Sequence, residues 1–168
     1  MARAAGNYEG ELRRILHAFK YEGRRRLATR LGVLLREAGG DVLTGADSIV
    51  PVPLHPWKRF QRGFNQASDL ARTLPLPVVA ALWRTRATAT QTGLTARARR
   101  RNVAAAFRLS PLLTARSRSS ISDRTLVLVD DVRTTGATLD ACALVLKQAG
   151  AREIRALTVA RAALAERR

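Results

Sequence analysis

VLVDDVRTTGATL, which spans Val127–Leu139, is the stretch that decides the fold of this chain. Just before the acids, Thr125–Val129 contains only β-branched residues and leucine, which predicts a strand buried on both faces of a parallel sheet. Leu139–Ala149 is predicted to be a helix that ends at Gly150, and Ile154–Val159 supplies another strand. A strand, a loop, a helix and a second strand form a βαβ unit, so the sequence predicts an α/β domain.

Two acids and a threonine-rich loop follow the predicted strand. Asp130 and Asp131 stand at its expected carboxyl end, where ligands bind in open α/β sheets. The loop at 134–138 offers threonine hydroxyls, a glycine that permits close approach, and the free N–H groups of a helix start, which suit phosphate. Carboxylates accept hydrogen bonds from sugar hydroxyls, so the segment predicts a sugar-phosphate site. The alternative is a loop in which the acids only cap the helix and the threonines only satisfy backbone hydrogen-bonding groups.

The whole stretch resembles the signature of type I phosphoribosyltransferases. The resemblance implies that Asp130 and Asp131 bind the 2′- and 3′-hydroxyls of a ribose. It implies a 5′-phosphate site formed by Thr134, Thr135, Gly136, Ala137 and Thr138. The implied ligand is 5-phosphoribosyl-1-pyrophosphate, with Mg²⁺ held through the substrate and not directly by protein side chains.

Thr134 separates this chain from part of that family. Purine-salvage members that resemble this motif often have an aspartate at this position, near the purine ring. A threonine cannot act as that general acid or base. The sequence therefore disfavours a hypoxanthine-type enzyme and leaves open an orotate-like or amidotransferase-like branch, or an unassigned acceptor.

The rest of the chain completes the expected fold, which is type I phosphoribosyltransferase-like, with a mostly parallel central sheet flanked by helices and with N-terminal helices. We expect a single domain over residues 1–168, with an N-terminal helical part at 1–45 and the core at 46–168. Apolar periodicity and turn residues predict the remaining elements. These are helices at Tyr8–Lys20, Arg24–Ala38 and Asn65–Leu74, strands at Ser48–Leu54, Val78–Leu82 and Val103–Leu109, and a loop at Thr114–Asp123.

Three stretches outside the motif are similar to the competence protein F family. They are LHAFKY at Leu16–Tyr21, IVPVPLHP at Ile49–Pro56 and RFQRGFNQA at Arg59–Ala67. That family's longer members carry an N-terminal cysteine-rich zinc module, which we do not expect here. Together with the motif, the similarity extends over nearly the whole chain.

The third stretch is the predicted pyrophosphate site. In phosphoribosyltransferases the turn after the first sheet strand receives pyrophosphate, which the resemblance assigns here to Arg59, Arg62 and Gly63. The forked donors of a guanidinium suit phosphate oxygens. The alternative is that both arginines are solvated surface charges and that the aromatic residues Trp57, Phe60 and Phe64 belong to the core.

A basic segment farther along corresponds to the flexible loop that closes over the substrate in related enzymes. Gln91, Arg99 and Asn102 recur there with the family's spacing. A mobile lid has a physical purpose, because water must be kept from an oxocarbenium-like centre. The alternative is that Arg97–Arg101 is only a charged helix face.

Composition narrows the class of protein without naming a ligand. The 168 residues suffice for one core, and the single cysteine, Cys142, cannot form an internal disulfide. No signal peptide or membrane-spanning stretch is present, so we expect a cytoplasmic protein without membrane insertion. The net charge of +17 attracts phosphates and nucleic acids, although the scarcity of lysine also fits a compositional bias of the source genome.

Two functions remain open. The first is an enzyme that transfers the phosphoribosyl group to an unknown acceptor. The second is a non-catalytic, competence-associated protein that takes part in DNA uptake with other competence-machinery proteins and binds single-stranded DNA on a basic surface. Carboxylates directed at sugar hydroxyls argue against DNA inside the pocket, because a phosphate backbone prefers cations.

Overall fold

The structure is a computed structural model that describes residues 1–85, 106–114 and 118–162, without the side chain of Arg59. Its strands are β1 Ala2–Asn7, β2 Ser48–Pro51, β3 Leu82–Arg84, β4 Phe107–Leu109, β5 Thr125–Arg133 and β6 Glu153–Arg161. Its helices are α1 Gly10–Tyr21, α2 Leu27–Ala38, α3 Gly40–Leu43, α4 Pro56–Arg62, α5 Gln66–Ala71 and α6 Ala137–Gln148.

A parallel sheet in the order β1-β6-β5-β2 forms the centre. Val127 of β5 lies between Ile49 of β2 and Arg155 of β6, which fixes the register. β3 and β4 form a separate antiparallel pair. The predicted βαβ unit is therefore confirmed as β5, α6 and β6.

β5 is buried on both faces, as its composition predicts. Val127 and Val129 pack in one apolar cluster with residues of α1, α2 and α5. Leu126 and Leu128 pack in a second cluster with residues of α6 and of the β3–β4 pair. The alternation arises because successive strand residues point to opposite faces, and it places one helical layer on each side of the sheet.

The N-terminal segment differs from its expected helical character. Ala2–Asn7 forms strand β1 and pairs in parallel with β6, from Ala2 opposite Ala156 to Asn7 opposite Arg161. The sequence ARAAGN has no β-branched or aromatic residue, so its intrinsic strand preference is weak. The pairing partner specifies this strand, and a reading of local sequence missed it.

Two other boundaries correct the expected elements. Of the predicted strand at Val78–Leu82, only Val78 forms a bridge, to Ile49, and regular pairing begins at Leu82. β5 continues through Arg133, so Asp130 and Asp131 lie inside the strand and not beyond its end. Adjacent acids in a strand point in opposite directions.

The segment after β2 is a helix, α4, where the sequence predicted a turn. Trp57 and Phe60 are exposed on it, at 61% and 82%, so the core interpretation was wrong for both. Phe64 is buried and packs at 5.9 Å from Phe19, between ring centroids, which fits that interpretation.

Asp69 of α5 anchors the first helical layer. Its carboxylate is 8% exposed and accepts hydrogen bonds from Arg25 Nε at 2.7 Å, Arg25 Nη2 at 2.9 Å and Arg72 Nη1 at 3.0 Å. The Arg25 guanidinium also lies 5.3 Å from the centroid of the Phe64 ring. Two cations thus compensate one nearly buried carboxylate.

Within the described ranges, no helix is both long and apolar enough to span a membrane.

Candidate functional site

Asp131 faces α1 and forms an ion pair there. Lys20 Nζ lies 2.9 Å from Asp131 Oδ1, and the two side chains are only 15% and 12% exposed. Lys20 is held in place by its helix, because its neighbour Phe19 is fully buried in the core. A charge-assisted hydrogen bond in such a shielded place is stronger than one at the surface.

Asp130 has a different environment. Its Oδ1 accepts a hydrogen bond from the backbone N–H of Asp131 at 2.9 Å. Its electrostatic neighbours include Cys142 of α6 and Arg84 of β3, and Lys20 acts on it as well. Burial and the adjacent Asp131 carboxylate raise the pKa of Asp130 to about 7.

The two acids share a cavity of about 270 Å³ with several cations. The charged residues that line it are Asp130, Asp131, Lys20, Lys58, Arg62 and Arg84. Four cationic side chains therefore face two carboxyl groups. Burial lowers the pKa of Lys58, and the charges of Arg84, Arg62 and Lys20 lower it further. The excess of positive charge favours an anion in this space.

A buried donor in the lining of the same cavity has no acceptor within the part of the chain that the structure describes. Gln66 is 1% exposed and lines the cavity, and its Oε1 accepts a hydrogen bond from Arg62 Nη1 at 3.3 Å. Because a guanidinium can only donate, this contact assigns the oxygen and leaves the amide nitrogen on the other branch. Gln66 Nε2 is buried without a hydrogen-bond partner among the described residues. A ligand oxygen would satisfy it.

Arg62, a predicted pyrophosphate residue, lines this cavity, and Gly63 does not. Arg62 Nη2 donates to the hydroxyl of Tyr21 at 3.2 Å, and the guanidinium lies 4.8 Å from the centroid of the Tyr21 ring. Gly63 has a φ of +73°, which turns the chain out of α4, and it lines a neighbouring pocket of about 520 Å³. That pocket is mainly apolar, with Phe60 and Trp83 among its walls.

The predicted phosphate loop lies at the start of α6. Gly136 precedes the helix with a φ of +82°, a conformation that strains other residues. Thr135 Oγ1 accepts a hydrogen bond from Ala137 N at 3.4 Å. Thr138 lines the charged cavity, whereas Thr134, Thr135 and Gly136 line a larger groove of about 990 Å³. The loop thus extends from one space to the other.

Other predicted residues cannot be placed. Gln91, Arg99 and Asn102 lie outside the described residues, as does the side chain of Arg59. The structure adds Lys20, Lys58, Gln66 and Arg84, to which the sequence interpretation gave no role in the site. A usable signal was present, because lysine occurs in this arginine-rich chain only at 20, 58 and 147. Two of these lysines line the cavity.

The protein alone offers few ligands for a metal ion here. Among the residues that the structure describes, no group of three or more His, Cys, Asp or Glu side chains could hold one. Two adjacent carboxyl groups are fewer than the six oxygens that surround Mg²⁺. The donor set fits an ion that shares its coordination with the oxygens of a substrate.

Comparison with known proteins gives a consistent result. The chain matches the model of the phosphoribosyl transferase domain over residues 61–167, well over half of its length. Competence protein F of Haemophilus influenzae is 35% identical to it over 167 residues, which cover 94% of this chain and 71% of that protein. The DNA utilization protein YhgH of Escherichia coli is 37% identical over 155 residues, which cover 86% of this chain and 65% of that protein.

A solved structure described as the allosteric regulatory enzyme of purine biosynthesis superposes with a TM-score of 0.47 at 19% identity. The alignment covers 82% of this chain and 25% of that one.

Proposed function

Because the chain belongs to the phosphoribosyl transferase domain family and is homologous to competence protein F, we propose that it binds 5-phosphoribosyl-1-pyrophosphate and transfers the phosphoribosyl group to an acceptor. Family membership and the parallel sheet flanked by helices confirm the fold class and the resemblance predicted from the sequence. One observation carries the proposal of a ligand: two adjacent acids line a cavity together with four cations.

Each part of this substrate has a matching group. The ribose hydroxyls would donate to Asp130 and Asp131, since carboxylates are strong acceptors. The pyrophosphate would lie near Arg62, in the positive field of the cavity. The 5′-phosphate would accept from the loop at 134–138, where α6 begins and its dipole favours negative charge.

Mg²⁺ would reach the cavity on the substrate, where it would neutralise charge as pyrophosphate departs. Asp130 and Asp131 would bind the ribose part of the substrate, either directly at the sugar hydroxyls or through water ligands of the ion. The cations of the protein would hold the pyrophosphate side. This division agrees with the donor set, which places carboxylates and cations in one small space.

In the reaction, the bond between C1 of the ribose and the pyrophosphate oxygen breaks, and the acceptor's nucleophilic atom forms a bond to C1. The leaving oxygen keeps the electron pair, and the protein's contribution is mainly to orient and to stabilise charge. Thr134 is not a general base, so proton removal is assigned to no residue.

Isothermal titration of the purified protein tests the binding step. We expect 5-phosphoribosyl-1-pyrophosphate with Mg²⁺ to bind more tightly than ribose 5-phosphate, because the cations of the cavity act on the additional pyrophosphate charge. A pyrophosphate-release assay with candidate acceptors then tests transfer. If neither 5-phosphoribosyl-1-pyrophosphate nor ribose 5-phosphate binds, the proposed function is refuted. Binding without release of pyrophosphate would restrict the function to recognition of the sugar phosphate.

A second function is favoured by the exposed face of α4. The rings of Trp57 and Phe60 are stacked with centroids 6.1 Å apart, and Lys58 lies between them in sequence. Exposed aromatic residues among cations suit the bases and phosphates of single-stranded DNA. The relatives named for competence and for DNA utilization support this role, which would be exercised in the cytoplasm with other competence-machinery proteins.

Fluorescence anisotropy with a labelled single-stranded oligonucleotide tests this second function. Binding should weaken steeply as salt increases, because phosphate contacts release counterions. Replacing Trp57 and Phe60 by alanine should weaken it further, whereas the matched control Leu144→Ala, an exposed apolar residue on α6, should not. Equal affinity of all these proteins would exclude α4 as the DNA-binding face.

A further inference from the structure

Lys20 belongs to α1, which precedes the segment 61–167 that matches the family model, yet its ammonium group lies inside the candidate site. We propose that Lys20 is a movable counter-ion: it neutralises Asp131 before a substrate binds and turns to the pyrophosphate when ribose hydroxyls engage that carboxylate. Lys20 is thus a positioning residue for the substrate. The inference rests on the proposed function and extends it to a helix that lies before the segment matched by the family model.

The first argument is that Lys20 and the sugar compete for the same atoms. Lys20 Nζ contacts Asp131 Oδ1 at 2.9 Å, and Asp131 is 9% exposed, so few of its lone pairs can be reached by a ligand. A ribose hydroxyl that donates to this carboxylate must share it with the ammonium group or displace it. Displacement would leave a shielded cation unpaired unless the ligand also brings negative charge.

The second argument is that one buried donor of this cavity has no acceptor among the residues that the structure describes. Gln66 Nε2 is a buried donor without a partner among the described residues, and it belongs to the same lining as Lys20. Lys58 and Arg84 add positive charge to that lining. The oxygens of a pyrophosphate would satisfy Gln66 and provide the new partner for Lys20 at one time.

The third argument is the difference between lysine and arginine in this site. The guanidinium of Arg62 is fixed by the Tyr21 ring, the Tyr21 hydroxyl and Gln66 Oε1. The ammonium of Lys20 is a point charge on a flexible stem, with three donors that can rotate toward a new partner. The helix beneath it is fixed by buried Leu16 and Phe19, so only the side chain has to move.

The test compares Lys20→Met with Arg13→Met, which removes the same charge from an exposed position on the same helix. Isothermal titration uses 5-phosphoribosyl-1-pyrophosphate with Mg²⁺, inorganic pyrophosphate, and ribose 5-phosphate. We expect Lys20→Met to weaken the first two by about 10- to 100-fold, as for loss of a charged hydrogen bond. Ribose 5-phosphate should bind as well as before or better, and Arg13→Met should change no affinity.

Lys20→Arg provides a second measurement, which applies even if Lys20→Met does not fold. A guanidinium would hold Asp131 with two parallel hydrogen bonds, so ribose 5-phosphate should bind more weakly than it does to the wild type. If Lys20 only fastened α1 to the sheet, Lys20→Arg would leave ribose 5-phosphate affinity unchanged and Lys20→Met would weaken all ligands equally. Either result overturns the inference.

If the wild type binds neither sugar phosphate, the proposed function fails first and the inference with it.

Discussion

Asp69 and Asp131 are carboxylates of almost equal burial, 8% and 9% exposed, in very different surroundings. Asp69 accepts three hydrogen bonds from two arginines, which leaves it fully compensated. Asp131 has one ammonium group at 2.9 Å and a second carboxyl group beside it in the chain. The same side chain at the same burial thus stabilises the scaffold in one place and leaves acceptor capacity for a ligand in the other.

The difference teaches that burial alone does not separate structural acids from functional ones. A buried carboxylate without enough donors destabilises the fold, and a protein retains such a cost where a ligand removes it. Arg25 and Arg72 reach Asp69 from the surface, at 56% and 67% exposure, so its compensation is complete before any ligand binds. The four predictions that follow test this contrast.

The largest effect is expected from Asp130→Asn combined with Asp131→Asn. The affinity for 5-phosphoribosyl-1-pyrophosphate should fall about 100-fold or more, because two charged acceptors are lost while shape is kept. The fold should be retained, since removing the repulsion between the acids offsets part of the loss of the Lys20–Asp131 ion pair. Titration calorimetry and thermal unfolding measure the two quantities, and unchanged affinity would disprove the ribose assignment.

Asp69→Asn should have the opposite profile. We expect a loss of about 1–3 kcal/mol in the free energy of unfolding, less than for a fully buried pair because both arginines can turn to water. Affinity of the folded protein for the sugar pyrophosphate should stay at the wild-type value. Urea unfolding gives the first quantity. A ligand-specific defect in Asp69→Asn would mean that this acid also belongs to the site.

Arg62→Ala should reduce affinity for the sugar pyrophosphate by about 10-fold. Ribose 5-phosphate, which lacks the pyrophosphate, should be affected much less, so it controls for a general loss of charge. Parallel titrations with both ligands decide the matter. Equal weakening would assign Arg62 to the overall field or to the packing on Tyr21 and not to the pyrophosphate.

The smallest effect concerns pH. The folded-state pKa of Asp130 is about 7, against an ordinary value of 3.8, so the folded protein binds the additional proton between these pH values. Stability from this group is therefore fully present below pH 3.8, falls as pH rises above that value, and is lost by about pH 7. Asp130→Asn cannot ionise, so its melting temperature should exceed that of the wild type by several degrees at pH 8 and by little at pH 4. A difference that is constant across pH would contradict the raised pKa.

The sequence predicted the centre of the fold because the centre is specified locally. Thr125–Val129 is apolar on both faces and the helix after Gly136 has its own periodicity, so β5, α6 and β6 needed no knowledge of their neighbours. β1 was missed because ARAAGN becomes a strand only through its pairing with β6. α4 was missed because the family resemblance assigned a turn to this segment.

The candidate site divides in the same way. The acids and the loop at 134–138 lie in one short stretch, and a motif can show them. Lys20 and Arg84 reach the cavity from separate elements, and only the packing of α1 and β3 against the sheet brings them to the acids. Distance along the chain hid them, since no local pattern relates a helix near residue 20 to a strand near residue 130.

The alternation of side chains along β5 has a mechanical consequence. Asp131 forms an ion pair with Lys20 of α1, and the charged surroundings of Asp130 include Arg84 of β3 and Cys142 of α6 as well as Lys20. A ligand bonded to both carboxyl groups would therefore be connected to helices of both layers of the domain. The free energy of its binding would add to the stability with which each layer packs on the sheet. Binding in this one cavity would therefore make the packing of both layers more rigid.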